Sequence, residues 1–347
     1  MKNNPRIIIV GHLEENDLSG PGEVLKTLFS GLESISINYE FINSNKHKSA
    51  IGTLLVFLRI TFFTRNAVIN THTFGYKMPY MMLISSKINK SNKHFLTVHG
   101  INSYEYKINK RPADYKKLAK IENKLYKKYP NIICVSKFLK KYIENNYDRH
   151  NNISYAYNCI KKNNTYSATK KDGFTFLYTG GFNNRKNPLE AIDFFLNTCI
   201  KYNSHSKLII CGNRDDKILY KKCLGVINAS KHKKSITVLG MLDKETLSSY
   251  YDKSTYILAP SIFDTFNMSV LEAMNYGCIP IVSDNCGIKD VINSDNGFIL
   301  KDDITNKLFK NINKRSLESF NTASRLNPQN MAKEYINIFN GTNNGKI

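Results

Sequence analysis

Short runs rich in isoleucine and valine recur along this chain, separated by longer stretches in which apolar residues fall at helical spacing. The runs occupy residues 7–10, 67–70, 95–99, 132–135, 174–178, 207–211, 235–239, 256–259 and 279–283. Their apolar and polar positions hardly alternate, which predicts strands buried on both faces. Helical periodicity fills the gaps, as over 22–32, 114–129 and 187–202. Strands alternating with helices predict parallel sheets and an α/β class. A last helical pattern covers 331–339, with Tyr335, Ile338 and Phe339 along one side.

The rhythm pauses between about 158 and 172. Residues 160–173 are polar and aperiodic, which predicts a linker. The chain has 347 residues, enough for two domains at roughly 150 residues each. The expected boundaries are 1–165 and 166–329. Two doubly wound domains would hold a ligand at the C-terminal ends of their strands, in the cleft between them.

The longest apolar stretch, 51–63, contains Arg59 and falls short of the roughly 20 residues a spanning helix needs. The run at 7–10 is too short for a signal peptide. No segment is expected to cross a membrane. Seven cysteines are scattered and none forms a C-x-x-C pair, so neither a disulfide framework nor a zinc site is expected. A reducing cytosol fits that usage.

Charge adds a constraint on partners. Fifty lysines and arginines face 28 acids, a formal net of +22, which attracts anions over long range. Nucleic acid, an anionic membrane and phosphorylated substrates all satisfy it. Residues 86–150 alone hold sixteen Lys/Arg against five Asp/Glu. Leu118, Ile121 and Leu125 form a core-facing stripe there, with lysines on its flanks. Two readings of this face stand open: docking on an anionic cytoplasmic leaflet, and a solvated lysine surface. Residues 51–63 could serve the first as an interfacial helix, or belong to the core.

The chemistry concentrates after strands. Residues 260–284, PSIFDTFNMSVLEAMNYGCIPIVSD, predict a strand end, a loop, a helix and a further strand. Asn267 is placed to cap the helix start and Gly277 its end. The loop brings Phe266, Asn267, Met268 and Ser269 to a helix N-terminus, where free N–H groups and the helix dipole favour an anion. Asp264 lies on the loop and Glu272 in the helix. Ionised carboxylates are acceptors suited to hydroxyl-rich ligands. A second cluster, YTGGFNNRKNP at 178–188, joins glycines to Arg185 and Lys186. Its glycines permit close backbone approach, and its cations can neutralise a leaving diphosphate. In the first domain Gly20-Pro21-Gly22 follows Leu18 and Ser19 and opens a helix, a second phosphate-type turn. His99 ends the run at 95–99, and His72, ending the preceding strand, is its competitor for the cleft.

These segments resemble glycosyltransferase family 4. Asp264-Thr-Phe-Asn267, Leu271-Glu272-Ala-Met and Gly277-Cys-Ile-Pro280-Ile-Val are similar to that family's donor-binding signature. Residues 178–188 look like its Gly-Arg-Leu-x-x-x-Lys-Gly turn, with Lys186 at the lysine and Gly181 where the family has arginine. Cys134-Val-Ser-Lys, Leu208-Ile-Ile-Cys-Gly212-Asn and Asp295-Asn-Gly-Phe extend the resemblance along the chain. It implies the GT-B fold: two Rossmann-like doubly wound domains facing across a cleft, with a C-terminal helix (330–347) completing the first. It also implies a retaining transfer from a nucleotide sugar, most commonly UDP-linked, to a hydroxyl of a glycan or lipid-linked acceptor, as in bacterial surface polysaccharide synthesis. Glu272 then takes the ribose and Asp264 the donor sugar. Phe266, Asn267, Met268, Ser269, Gly22, Gly181 and Gly212 line the donor. Lys186 and Arg185 meet the leaving group, and His99 faces the sugar. Asp264 is one methylene shorter than the family glutamate, and Asn267 replaces a glycine. No cofactor is implied, since the nucleotide sugar is a substrate. No Asp-x-Asp occurs, so no metal is implied either. Two other classes fit less of the sequence. One is a GT-B nucleotide-sugar epimerase. The other is a non-enzymatic basic protein binding nucleic acid or membrane, although no nucleic-acid module is present.

Overall fold

The structure is a computed structural model describing residues 5–14, 20–44, 49–109, 112–161, 166, 171, 174–300, 304 and 306–342, with the side chains of 112–114 excepted. Most of the linker expected at 160–173, Leu18 and Ser19 of the first glycine-rich turn, and the end of the segment 330–347 lie outside those residues. The chain forms two compact units. One comprises Met1–Lys107, Arg111–Lys161 and Leu326–Ile347, the other Ile108–Lys110 and Lys162–Arg325.

The first unit is built on six strands: β1 (Arg6–Gly11), β2 (Tyr39–Asn43), β3 (Ala67–His72), β4 (Lys93–Val98), β5 (Asn131–Cys134) and β6 (Ile153–Tyr155). Their order is β2-β1-β3-β4-β5-β6, and every pair is parallel. Around this sheet run α1 (Gly20–Ser34), α2 (Ala50–Leu58), α3 (Lys77–Ile88), α4 (Asn102–Ile108), α5 (Pro112–Lys128) and α6 (Lys137–Tyr147). The second unit repeats the plan with β7 (Thr175–Tyr178), β8 (Lys207–Ile210), β9 (Ile236–Val238), β10 (Tyr256–Ala259), β11 (Ile279–Val282) and β12 (Phe298–Ile299). Its order is β12-β11-β10-β7-β8-β9, again all parallel. Its helices are α7 (Pro188–Phe194), α8 (Ile200–Tyr202), α9 (Lys217–Ala229), α10 (Lys244–Lys253), α11 (Met268–Met274) and α12 (Ile312–Arg325). The expected helix at 187–202 is interrupted by a π-helical turn over Phe195–Cys199.

The final helix, α13 (Pro328–Asn340), packs in the first unit. A Cβ on Gly31 of α1 would stand 2.1 Å from the Pro328 carbonyl oxygen, so only glycine allows that approach. Tyr335 stacks near His72, and Phe339 meets Phe95 at 5.0 Å.

Parallel central strands are buried on both faces, which is why their sequences are nearly continuous apolar runs. Four strands escape that pattern: β2, β6, β9 and β12. All four lie at sheet edges, where one side faces no further strand and fewer apolar residues are needed. All seven cysteines are buried thiols. Among the described residues no helix is long and apolar enough to cross a membrane.

One core residue carries a pH cost. His94 on β4 is buried, and among the described residues neither ring nitrogen has a hydrogen-bond partner. Burial, and then Lys90 nearby, pushes its pKa down to about 4. The unfolded chain therefore takes up a proton near pH 6.5 that the folded chain refuses. Stability is fully present above pH 6.5 and falls as pH drops towards 4, by up to about 3 kcal/mol from this residue. His94→Leu should flatten that part of a urea-midpoint profile between pH 7 and 4. Parallel profiles for variant and wild type would show that His94 does not carry the effect.

Candidate functional site

In the second sheet the strand order reverses between β10 and β7, so the loops that leave them diverge. Such a switch point is where open α/β sheets hold ligands. The loop after β7 is shaped by its own strand. The Tyr178 hydroxyl donates to the Gly181 carbonyl at 2.9 Å and reaches that of Lys186 at 3.2 Å. Asn183 accepts from the Lys186 N–H and closes a 3₁₀ turn over Asn184–Lys186.

That turn aims two cations at the loop after β10. Lys186 Nζ lies 2.6 Å from Asp264 Oδ2, and Arg185 Nη1 lies 3.2 Å from the same oxygen. Arg185 also donates to the Phe263 carbonyl. Asp264 is held in turn: its other carboxylate oxygen accepts from the Phe266 N–H, and its backbone bridges to Cys286. Burial opposes the Asp264 charge, but Lys186 and Arg185 outweigh it and keep the carboxyl below its usual range. At neutral pH Asp264 is therefore an anion and an acceptor only.

Asn267 sits at the start of α11 but does not cap it as expected: its backbone is left-handed, with φ 75°, and its side chain makes no capping bond. Glycine suits that conformation, and asparagine is one of the few other residues that adopts it. Phe266 is buried, so its side chain belongs to the core rather than to a ligand surface. Met268 and Ser269 are partly exposed at the helix start. Helix α11 ends at Met274, and Gly277, at φ 76°, closes it. Its N–H bonds Met274 and that of Cys278 bonds Ala273, the two bonds of a Schellman motif.

Glu272 stands partly exposed one turn into α11, with the Tyr251 hydroxyl 3.5 Å from its carboxylate. Tyr251 comes from α10 and is buried. Lys186, Asn267 and Ser269 line one small hollow of about 10 Å³ with Thr179 and Ser261. The buried Ser261 hydroxyl has no partner among the described residues. Tyr178, Tyr251 and Ser261 were not singled out from the sequence, since lone hydroxyl residues carry no spacing signal.

Gly181 and Gly212 serve the loops themselves. Their φ angles are 64° and 121°. A Cβ on Gly212 would stand 2.6 Å from the Gly181 nitrogen, and one on Gly181 would stand 2.8 Å from the Asn213 oxygen. The two turns nest backbone against backbone.

The first unit has its own switch point, between β1 and β3. A hollow of about 250 Å³ opens there, lined among others by His12, Thr53, His72, Phe74 and Tyr76. His72 and His99 are not competitors but partners. His72 Nε2 lies 2.8 Å from Asn70 Oδ1, an acceptor, and so carries the proton. His72 Nδ1 then accepts from His99 Nε2–H at 2.9 Å. Asn70 is fixed by donating to Thr97. Burial, and then His99, holds His72 well below its ordinary pKa, while burial lowers His99 to about 3. Both rings are neutral at pH 7. Gly22 lies within the first turn of α1, which starts at Gly20, and is not in a preceding loop. The basic helix α5 also buries an acid: Glu122 accepts from the Tyr76 and Ser103 hydroxyls.

Residues 160–332 match the family model described as glycosyl transferases group 1. The capsular polysaccharide biosynthesis glycosyltransferase CapH of Staphylococcus aureus is 28% identical over 153 residues, covering 44% of this chain and 39% of that protein. An uncharacterized glycosyltransferase of Methanocaldococcus jannaschii is 25% identical over 241 residues, covering 68% of this chain and 62% of its own length. The matches thus span less than two thirds of either relative. Among solved structures, Anabaena HepE in complex with UDP and glucose superposes with a TM-score of 0.67 at 13% identity, over 97% of this chain and 100% of that one. The likeness shows a shared fold: two parallel α/β sheets of the GT-B class, and residues 160–332 carry the match to the glycosyl transferases group 1 model.

Proposed function

We propose that this protein transfers a glycosyl group from a UDP-linked sugar to a hydroxyl of a glycan or lipid-linked acceptor, with retention of anomeric configuration. The observation that carries the proposal is the pairing of Lys186 and Arg185 with Asp264 at the switch point of the second unit. It lies within the matched stretch, and HepE is a structural neighbour whose complex contains UDP and glucose. The likeness to CapH supports a surface polysaccharide as the product. Cytoplasmic donor use, with peripheral contact at the membrane, completes the proposal.

Glu272 is assigned the ribose hydroxyls, with Tyr251 orienting its carboxylate. Asp264, kept ionised, accepts from donor sugar hydroxyls. Lys186 and Arg185 meet the diphosphate as its bond to the anomeric carbon breaks and charge grows on it. His99 is the first unit's candidate for the sugar. No protein group is assigned as nucleophile, and no metal or cofactor is invoked.

Melting temperature against a panel of nucleotide sugars tests the donor half. At about 100 times its dissociation constant a ligand adds roughly 2.7 kcal/mol, a shift of several degrees. A shift with UDP-sugars that disappears in Glu272→Ala is expected. A flat response to every nucleotide sugar from a folded protein would count against the proposal.

A further inference from the structure

Helix α2 and the π-helical turn that follows it, Arg59–Phe63, are apolar on both faces. The inner face is ordinary: Thr53, Val56 and Ile60 are buried. The outer face carries Ile51, Leu54, Leu55, Phe62 and Phe63, and it is exposed. Ile51 is 72% accessible, Leu55 59% and Phe63 81%. The first four of these fall at spacings of three, one and seven, one stripe down a helix. The wider π turn then sets Phe62 and Phe63 side by side at its end. Helix α3 packs alongside and adds the exposed Ile84 and Ile88. Scattered exposed apolar residues need no explanation, but a contiguous set of this size does.

Charge indicates what covers it. From residue 41 to residue 104 the chain has eight lysines and arginines and no aspartate or glutamate. Arg59, Arg65, Lys87, Lys90 and Lys93 are exposed on or beside these elements. One of them, Arg59, is paired with Glu40. Apolar residues ringed by cations suit a surface with negative headgroups over acyl chains. A protein partner of ordinary surface would be expected to meet some acids here.

We propose that the outer face of α2, the π turn and α3 docks on an anionic lipid bilayer. Phe62, Phe63 and Leu55 enter the acyl boundary, and the flanking lysines and arginines lie at headgroup level. Thr53, on the inner face of the same helix, lines the 250 Å³ hollow of the first unit. That hollow is then about 10 Å, one helix diameter, from the lipid. Only the purpose of such docking, access to a lipid-linked acceptor, rests on the sugar-transfer proposal. The docking surface is thus centred on 51–93 rather than on the lysine-rich helix α5.

Flotation with vesicles tests it, using the full chain. One set is phosphatidylcholine alone, and the other contains about one third phosphatidylglycerol. Wild type should partition onto the anionic set on the order of tenfold more strongly, and less so in high salt. Leu55→Glu with Phe63→Glu should abolish this while leaving the melting temperature unchanged, because both residues are exposed. Phe63→Ser alone, which adds no charge, should weaken it. No flotation of wild type would overturn the proposal, as would undiminished flotation of the double variant or equal binding to both vesicle sets. A wild-type dimer dispersed by the double variant, without vesicle binding, would assign the face to a second copy of the chain and also overturn it. Nucleotide-sugar melting shifts on the same samples keep the two proposals apart. Intact shifts without flotation would sink docking alone, and flotation without shifts would sink sugar transfer alone.

Discussion

Replacing Lys186 by alanine should lower turnover about 10²–10³-fold, the usual cost of removing one preorganised group that stabilises transition-state charge. The ammonium lies 2.6 Å from Asp264 and reaches it from a turn fixed by Tyr178 and Asn183. It therefore needs little reorganisation to meet a phosphate. The fold should survive, because Arg185 remains 3.2 Å from the same carboxylate oxygen. Arg185→Ala should cost less, since its guanidinium is shared with the Phe263 carbonyl and lies farther from Asp264. The double variant leaves the nearly buried Asp264 without either cation. Its carboxyl pKa should then rise, because burial acts unopposed. In wild type the depressed pKa contributes stability above the unfolded-state value near 3.9, lost only as pH falls through the folded pKa. In the double variant that contribution should be gone and acid unfolding should begin at higher pH. Single-turnover rates and an acid-unfolding curve measure both effects. A Lys186→Ala enzyme with wild-type turnover would remove this residue from the chemistry.

The sequence showed the parts whose causes are local or periodic. Nine strands were legible, eight because burial on both faces demands continuous apolar runs and the edge strand β9 because its residues Ile236-Thr-Val238 are all β-branched. Strands β2, β6 and β12 were not, because edge positions relax that demand. Asp264, Lys186 and Glu272 stood out as candidates because each belongs to a patterned segment, the first two on loops after strands and Glu272 within the helix that follows. Their mutual arrangement was not. Nothing in YTGGFNNRKNP shows that both cations turn onto Asp264, which depends on β7 lying next to β10. The same limit explains the two histidines. Each ends or follows a strand, but only the parallel register of β3 and β4 brings His72 beside His99. Asn267 misled for a different reason: asparagine favours both helix caps and left-handed backbone, and the second preference is the one used here. Exposure of the outer face of α2 was left open by the sequence, because an apolar run reads alike whether its face is covered or exposed.

Gly212→Ala should cost about 3–5 kcal/mol, a large effect for one methyl group. Two causes add. At φ 121° an L side chain is strained wherever it points. The new Cβ would also meet the nitrogen and Cα of Gly181 at 2.6 and 2.7 Å, and backbone cannot swing aside as a side chain can. Relief requires the two turns to separate. That would break the bond from the Gly181 N–H to the Cys211 carbonyl and the bond from the Phe182 N–H to the Asn213 carbonyl. The β7 loop would then lose the support that aims Arg185 and Lys186. Thermal stability and nucleotide-sugar affinity should therefore fall together. Gly225→Ala is the control. Gly225 lies inside α9, where a Cβ would meet nothing within 4 Å. Alanine there should raise stability by up to about 1 kcal/mol through helix propensity. Opposite signs from the same chemical change would tie the loss to the nested turns and not to the added methyl as such. If Gly212→Ala instead melted like wild type, the turns would not be held this way, and the alignment of both cations on Asp264 would need another cause.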